Sequence, residues 1–167
     1  FTSFYTNVYK THATPSDKDF DAYFEQVALY WVDDACRKFL ESRITPEEVT
    51  LVIKSLLNNK APGPDGLTVH FYKTCTDILV PHRMEVYAEA FEKGKLPQSM
   101  RKADMVTLVK PGKRPVECDS YRPLSLINTD NTILAKVLAN RLVQLLPEIV
   151  IVLLDQSGFI PGRATSH

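Results

Sequence analysis

Two short stretches, Ala103–Val109 (ADMVTLV) and Tyr121–Ile127 (YRPLSLI), decide how the rest of the chain is read. The first is rich in β-branched residues and runs into Lys110-Pro111-Gly112-Lys113, a turn signal in which proline and glycine break any regular element. Together the two stretches predict a two-stranded antiparallel ribbon. Pro123 has no N–H to give to a ladder, so its strand is an edge.

Downstream, Asn128 or Thr129 can cap a long helix that carries Ile133, Val137, Leu138, Leu142, Leu145 and Ile149 inward and runs to about Pro147 or just past it. Upstream, Thr45-Pro46-Glu47-Glu48 is the clearest helix start in the chain. Its threonine can cap, its proline fits the first turn, and a glutamate three residues on can reach back. Val49, Val52, Ile53, Leu56 and Leu57 then form one apolar stripe, which Asn58-Asn59-Lys60 ends. Ala61-Pro62-Gly63-Pro64-Asp65-Gly66 cannot continue a helix and reads as a shaped loop, with Asp65 placed to cap the next helix. That helix should turn Leu67, Phe71, Cys75 and Ile78 inward. Another begins at Pro81, passes Met84, Tyr87 and Phe91, and stops at Gly94. Further back, Phe20, Phe24, Val27, Leu29, Trp31, Val32, Ala35 and Phe39 recur at roughly helical spacing between Ser16 and Leu40, which predicts one or two amphipathic helices. The fold class is therefore α+β, mostly helical with a short antiparallel β-ribbon, in one compact unit with a leading arm.

Twenty basic and twenty acidic residues cancel over the 167 positions. That balance argues against a binder whose whole surface is positive. The average hides an asymmetry, because Lys93 to Gln144 holds ten Lys or Arg against four Asp or Glu. Such a segment can face phosphate. Cys36, Cys75 and Cys118 have no paired spacing, and His12, His70, His82 and His167 no ligand spacing, so neither a disulfide framework nor a metal site is expected. The apolar stretch Leu142–Leu154 is broken by Gln144, Pro147 and Glu148 and is too short to span a bilayer, so no membrane association is expected. An intracellular protein, cytoplasmic or nuclear, is the expectation. With Phe1 first and no capping element after Arg163, the chain reads as a piece of a longer polypeptide.

The order of the pieces then carries a resemblance. Ile44–Tyr72 (ITPEEVTLVIKSLLNNKAPGPDGLTVHFY), Leu96–Lys113 (LPQSMRKADMVTLVKPGK), Ser120–Leu142 (SYRPLSLINTDNTILAKVLANRL) and Asp155–Arg163 (DQSGFIPGR) are similar to successive blocks of LINE-type (non-LTR) retrotransposon reverse transcriptases. Phe1–Tyr9 resembles the linker that precedes the polymerase in that family. The resemblance implies a right-hand polymerase in which residues 1–43 form a helical leading arm and 44–167 part of the fingers subdomain. On that likeness Lys110 or Lys113, with Arg122, grips the triphosphate of an incoming dNTP. Lys60, Gly63, Arg101, Arg114 and Arg163 contact nucleic acid, glycine letting the main chain come close to phosphate. The implied partners are an RNA template, a DNA primer, dNTP and the palm and thumb of the same polymerase, with Mg²⁺ serving the full-length enzyme.

Trp31-Val32-Asp33-Asp34 superficially reads as the aromatic-x-Asp-Asp signature of such enzymes, but it precedes every matching block and sits in a helix-period stretch. A solvated helical face accounts for both acids. No catalytic aspartate or metal ligand is assigned to this chain, and alone it is not expected to polymerise. Two other readings remain open: a non-catalytic nucleic-acid-binding module kept from a decayed element, and an α-rich protein-interaction domain.

Overall fold

A computed structural model of the chain describes residues 1–10, 15–25 and 32–149. Its helices are α1 (Thr2–Val8), α2 (Asp17–Glu25), α3 (Asp34–Glu41), α4 (Pro46–Ser55), α5 (Val69–Thr74), α6 (Thr76–Lys93) and α7 (Thr129–Ile149). Strands β1 (Ala103–Val109) and β2 (Tyr121–Ile127) pair as one two-stranded sheet, with 3-10 turns at Ser99–Arg101 and Cys118–Ser120. The α+β class and the ribbon are as expected. Val27, Leu29, Trp31, the Ile149 side chain and the Asp155–Arg163 block lie outside the described residues.

Two compact units result, one drawn from Phe1–Val32 and Thr107–Pro123, the other from Asp33–Val106 and Leu124–His167. In the second, α4 is the central element. The Thr45 hydroxyl accepts from the Glu48 N–H at 3.3 Å and the Glu48 carboxylate accepts from the Thr45 N–H at 2.8 Å, the reciprocal cap that the sequence announces. Val49, Val52 and Ile53 then bury against Tyr72, Val80, Tyr87, Met100, Ile133, Leu134 and Val137 from α5, α6, the Ser99–Arg101 turn and α7. Each such aliphatic side chain withdrawn from water stabilises the unit by about 1.5–3 kcal/mol.

Several expected positions are displaced. Helix α4 ends at Ser55, so Leu57 falls outside the stripe and is 69% exposed. Asp65 does not cap α5. Its carboxylate accepts from the Leu67 N–H inside the loop, and Thr68 caps α5 by accepting from the Phe71 N–H. The later start rotates the phase, so Val69 and Tyr72 point inward and Phe71 outward. Helix α6 begins at Thr76, not Pro81, because the break falls at Cys75. A period counted through that break puts Ile78 inside, whereas it is 69% exposed. Pro81 lies in the second turn of α6, where one backbone bond, to the exposed Asp77, is forgone. Gly94 ends α6 in the left-handed conformation, as expected.

Leu142 is also turned out. The inward residues of α7 are Ile133, Leu134, Val137, Leu138, Arg141 and Leu145, so an arginine takes the place that hydrophobicity alone gives to its neighbour.

Among the described glycines, Gly63 has the closest neighbours. A Cβ there would lie 2.4 Å from the Asn128 nitrogen and 2.4 Å from the Ile127 carbonyl carbon. Main chain cannot yield as a flexible side chain can. Gly63→Ala is therefore expected to destabilise the chain by about 2 kcal/mol or more, read as a fall in the urea midpoint. Gly66→Ala is the contrast: the site has open space and φ +72, so only backbone strain of about 1 kcal/mol is expected.

Candidate nucleotide and nucleic-acid interface

The ribbon tip and its loop form the first candidate site. Lys110 N–H donates to the Ser120 carbonyl at 2.7 Å, and the two strands have equal length, which sets a register pairing Val109 with Tyr121 and Leu108 with Arg122. Pro123 then faces Thr107 at a non-hydrogen-bonded position, where its missing N–H leaves no gap in the ladder. Alternation along each strand puts Leu108, Lys110 and Arg122 on one face, with Lys110 and Arg122 at diagonal positions.

On the opposite face Phe1 and Tyr5 stand against Tyr121. The Tyr5 hydroxyl donates to the Tyr121 carbonyl at 3.3 Å, and the Phe1 ring meets the Tyr121 ring edge-on at 4.9 Å. Tyr121 also donates its hydroxyl to the Pro115 carbonyl at 2.9 Å. With Tyr121 held toward the aromatic helix, its neighbour Arg122 points the other way, into solvent. Among the described residues Arg122 makes no ion pair.

Lys110 is half-buried and donates to the Asp119 carbonyl at 2.5 Å, which steadies the ammonium at the loop mouth. Lys113 N–H closes the turn onto the Lys110 carbonyl at 3.1 Å, while the Lys113 and Arg114 side chains are exposed. This tip gathers four cations in one unit. Cation-rich fork and ammonium chemistry suits a polyphosphate.

Lys60, Gly63 and Arg101 belong to the other unit. Lys60 and Arg101 are exposed, and Arg101 Nε donates to the Leu96 carbonyl at 3.0 Å. Gly63 is buried, and the close main-chain approach it permits is to Ile127–Asn128. Asn128 joins these stretches: its Oδ1 accepts from Asp65 N–H at 3.2 Å and its Nδ2 donates to the Ser99 carbonyl at 3.1 Å. Thr129 donates to the Leu67 carbonyl and Asn131 to the Met100 carbonyl, both at 2.7 Å. Sequence reading offered Asn128 only as a helix cap. Arg163 lies outside the described residues.

Asp33 and Asp34 behave as ordinary helix-start acids. Asp33 caps α3 by accepting from the Cys36 N–H at 2.6 Å, and Asp34 stands in the first turn.

Two charged clusters hold this framework. Arg83 donates to Asp130 at 2.8 Å, and Tyr87 donates to the Asp130 carbonyl at 3.0 Å. Burial raises the Asp130 carboxyl above its ordinary value, with Arg83 opposing, and burial pushes the Tyr72 phenol up to about 12. In the second cluster Arg141, buried, donates to both Glu48 carboxylate oxygens at 2.7 Å and to the Leu40, Ser42 and Arg43 carbonyls. The hydrogen bonds from Arg141 hold the Glu48 carboxyl below its ordinary range.

No protein-family model matches the chain. Curated relatives do. The Transposon TX1 uncharacterized 149 kDa protein of Xenopus laevis is 39% identical over 132 residues, covering 79% of this chain and 10% of that protein. The RNA-directed DNA polymerase from mobile element jockey of Drosophila melanogaster is 32% identical over 101 residues, 60% of this chain and 11% of the relative. The Probable RNA-directed DNA polymerase from transposon BS, from the same fly, is 30% identical over 122 residues, 73% and 14%. The chain thus spans only 10% to 14% of the length of these relatives. All three are proteins of transposable elements, two of them named as RNA-directed DNA polymerases, and the class they define is that of transposable-element proteins. Within it, the chain belongs to the LINE-type (non-LTR) retrotransposon reverse transcriptases. No described helix is long and apolar enough to cross a membrane.

The Glu48–Arg141 pair gives a pH prediction. A folded pKa below the unfolded one stabilises above the ordinary carboxylate range, and that stabilisation is lost as pH falls through the folded value. Glu48→Gln is expected to lower stability by about 2 kcal/mol at pH 7 and by much less at pH 3, compared with the parent by urea unfolding at each pH.

Proposed function

We propose that this chain supplies the nucleotide grip and part of the template contact of an RNA-directed DNA polymerase, as its fingers-side segment. The observation that carries the reading is the ribbon face on which Lys110 and Arg122 stand at diagonal positions, Arg122 exposed and without an ion pair among the described residues. A triphosphate presents several anionic oxygens within that span. The Arg122 guanidinium can take two of them in a fork, and Lys110 or Lys113 a third as a point charge. Fixed cations there would also stabilise the charge that develops on the leaving pyrophosphate. Lys60, Arg101 and Arg114 are the proposed phosphate contacts along an RNA template and DNA primer.

The chemistry itself falls to the palm of the full-length enzyme, with the thumb and palm as the partners of this segment. Mg²⁺ held there would supply Lewis-acid stabilisation of phosphate charge. Among the described residues no three His, Cys, Asp or Glu converge to hold such an ion, and no step through it is assigned to this chain.

Binding of a fluorescent dNTP to the 167-residue chain tests the grip. Arg122→Ala should weaken it about tenfold or more, since charge-assisted hydrogen bonds contribute about 1.5–3 kcal/mol each, and Arg122→Lys should fall between. Retention of parental affinity in Arg122→Ala would sink the proposal. RNA titrations at several salt concentrations separate the other readings. Loss of Arg101 or Arg114 should flatten the salt slope by about 0.7 per lost contact on a single strand. RNA binding without nucleotide binding supports a non-catalytic binding module instead, and binding of neither supports a protein-interaction domain.

A further inference from the structure

A groove lies along α6 in the second unit, lined by none of the residues assigned above to phosphate. Leu40, Ile44, Met84, Tyr87, Ala88, Phe91 and Leu138 supply its apolar lining, and Glu41, Arg43, Glu85 and Glu92 stand at its rim, enclosing about 1050 Å³. On α6 the lining residues fall at 84, 87, 88 and 91, the i, i+3, i+4, i+7 row of one helix face. That row is about 12 Å long at the helical rise. Phe91 at its end is 58% exposed.

The polar groups in the wall are already committed. Arg141 directs all of its N–H donors to Glu48 and the Leu40, Ser42 and Arg43 carbonyls, and Tyr87 donates to the Asp130 carbonyl. The buried wall therefore offers no donor to an anionic ligand, which disfavours nucleotide and nucleic acid. What remains is an apolar floor with three carboxylates, Glu41, Glu85 and Glu92, and one exposed cation, Arg43, at its rim. Glu85 and Glu92, seven residues apart, line one flank of the row. Glu92 has no ion pair among the described residues, and Glu85 meets only His82, at 3.9 Å. Glu41 pairs with Arg37 at 3.8 Å, both largely exposed.

We infer that this groove docks an amphipathic helix of a partner protein, with apolar side chains at i, i+3 or i+4, and i+7 and Lys or Arg along one flank. The floor matches two helical turns, and the carboxylates of Glu85 and Glu92 match cations at the same seven-residue spacing. This docking is independent of the nucleotide grip, which lies in the other unit.

Fluorescence anisotropy with the whole 167-residue chain decides it, using a labelled synthetic 15-residue helix with leucines at those positions and lysines on one flank, and a counterpart with glutamates for the lysines. The lysine helix should bind at least tenfold tighter at low salt. Phe91→Asp should weaken it at least tenfold while leaving the thermal midpoint unchanged, because Phe91 is already mostly in water. E85K/E92K should invert the preference between the two helices. Equal affinity for both helices, an unaffected Phe91→Asp, or no inversion would each overturn the inference. So would self-association of the chain that Phe91→Asp abolishes, since the occupant would then be a second copy.

Discussion

The second unit depends on one amide. Asn128 sits where β2 becomes α7, is buried, and uses both ends of its side chain to tie the Ala61–Gly66 loop to the Ser99–Arg101 turn. Those stretches are far apart in sequence, and the turn they fix is the root of β1. Gly63 lets the loop close onto the same point, since any side chain there would meet main chain. A short amide presents an N–H donor and a carbonyl acceptor on separate atoms, so neither Asp nor Leu can replace it. Thr129 and Asn131, further along the chain, repeat the device toward Leu67 and Met100, and together these bonds make the start of α7 the anchor for Ala103–Val106 and Leu124–Ile127.

That anchoring explains how a thin ribbon can be orderly while much of its surface is open. Two strands alone are marginal in water. In the second unit Ala103–Val106 and Leu124–Ile127 lead into the α4–α7 core, and in the first Tyr121 is held by Phe1 and Tyr5. The pleat does the rest. Fixing Tyr121 on one face sends Arg122 to the other, so the packing of an uncharged aromatic cluster determines where the cation points.

Much of this was legible from local chemistry. The capping box at Thr45 and Glu48, the glycine stop at Gly94, the turn after Val109 and the edge role of Pro123 each depend on neighbours within a few residues, and each is where the sequence puts it. The misplacements share a different cause. Leu57, Ile78 and Leu142 were assigned inward by carrying a helical period through a break or by preferring hydrophobicity to spacing, and tertiary partners decided otherwise. Arg141 is buried because Glu48 and three carbonyls from the end of α3 and the α3–α4 connection surround it, none of which can be paired with it from sequence alone. Asn128 read as a cap for the same reason: its two partners lie 63 and 29 positions away. At the interface, the identity of Arg122 was readable from its motif, whereas its exposure followed only from the Tyr121 contacts.

The most direct test of this architecture is hydrogen exchange at the Asp65 amide. If Asn128 is the anchor, that proton is protected at least about tenfold over the unstructured rate in the parent chain, and Asn128→Ala removes the protection while leaving the α4 amides slow. An Asp65 amide that exchanges freely in the parent, or stays protected after Asn128→Ala, contradicts it.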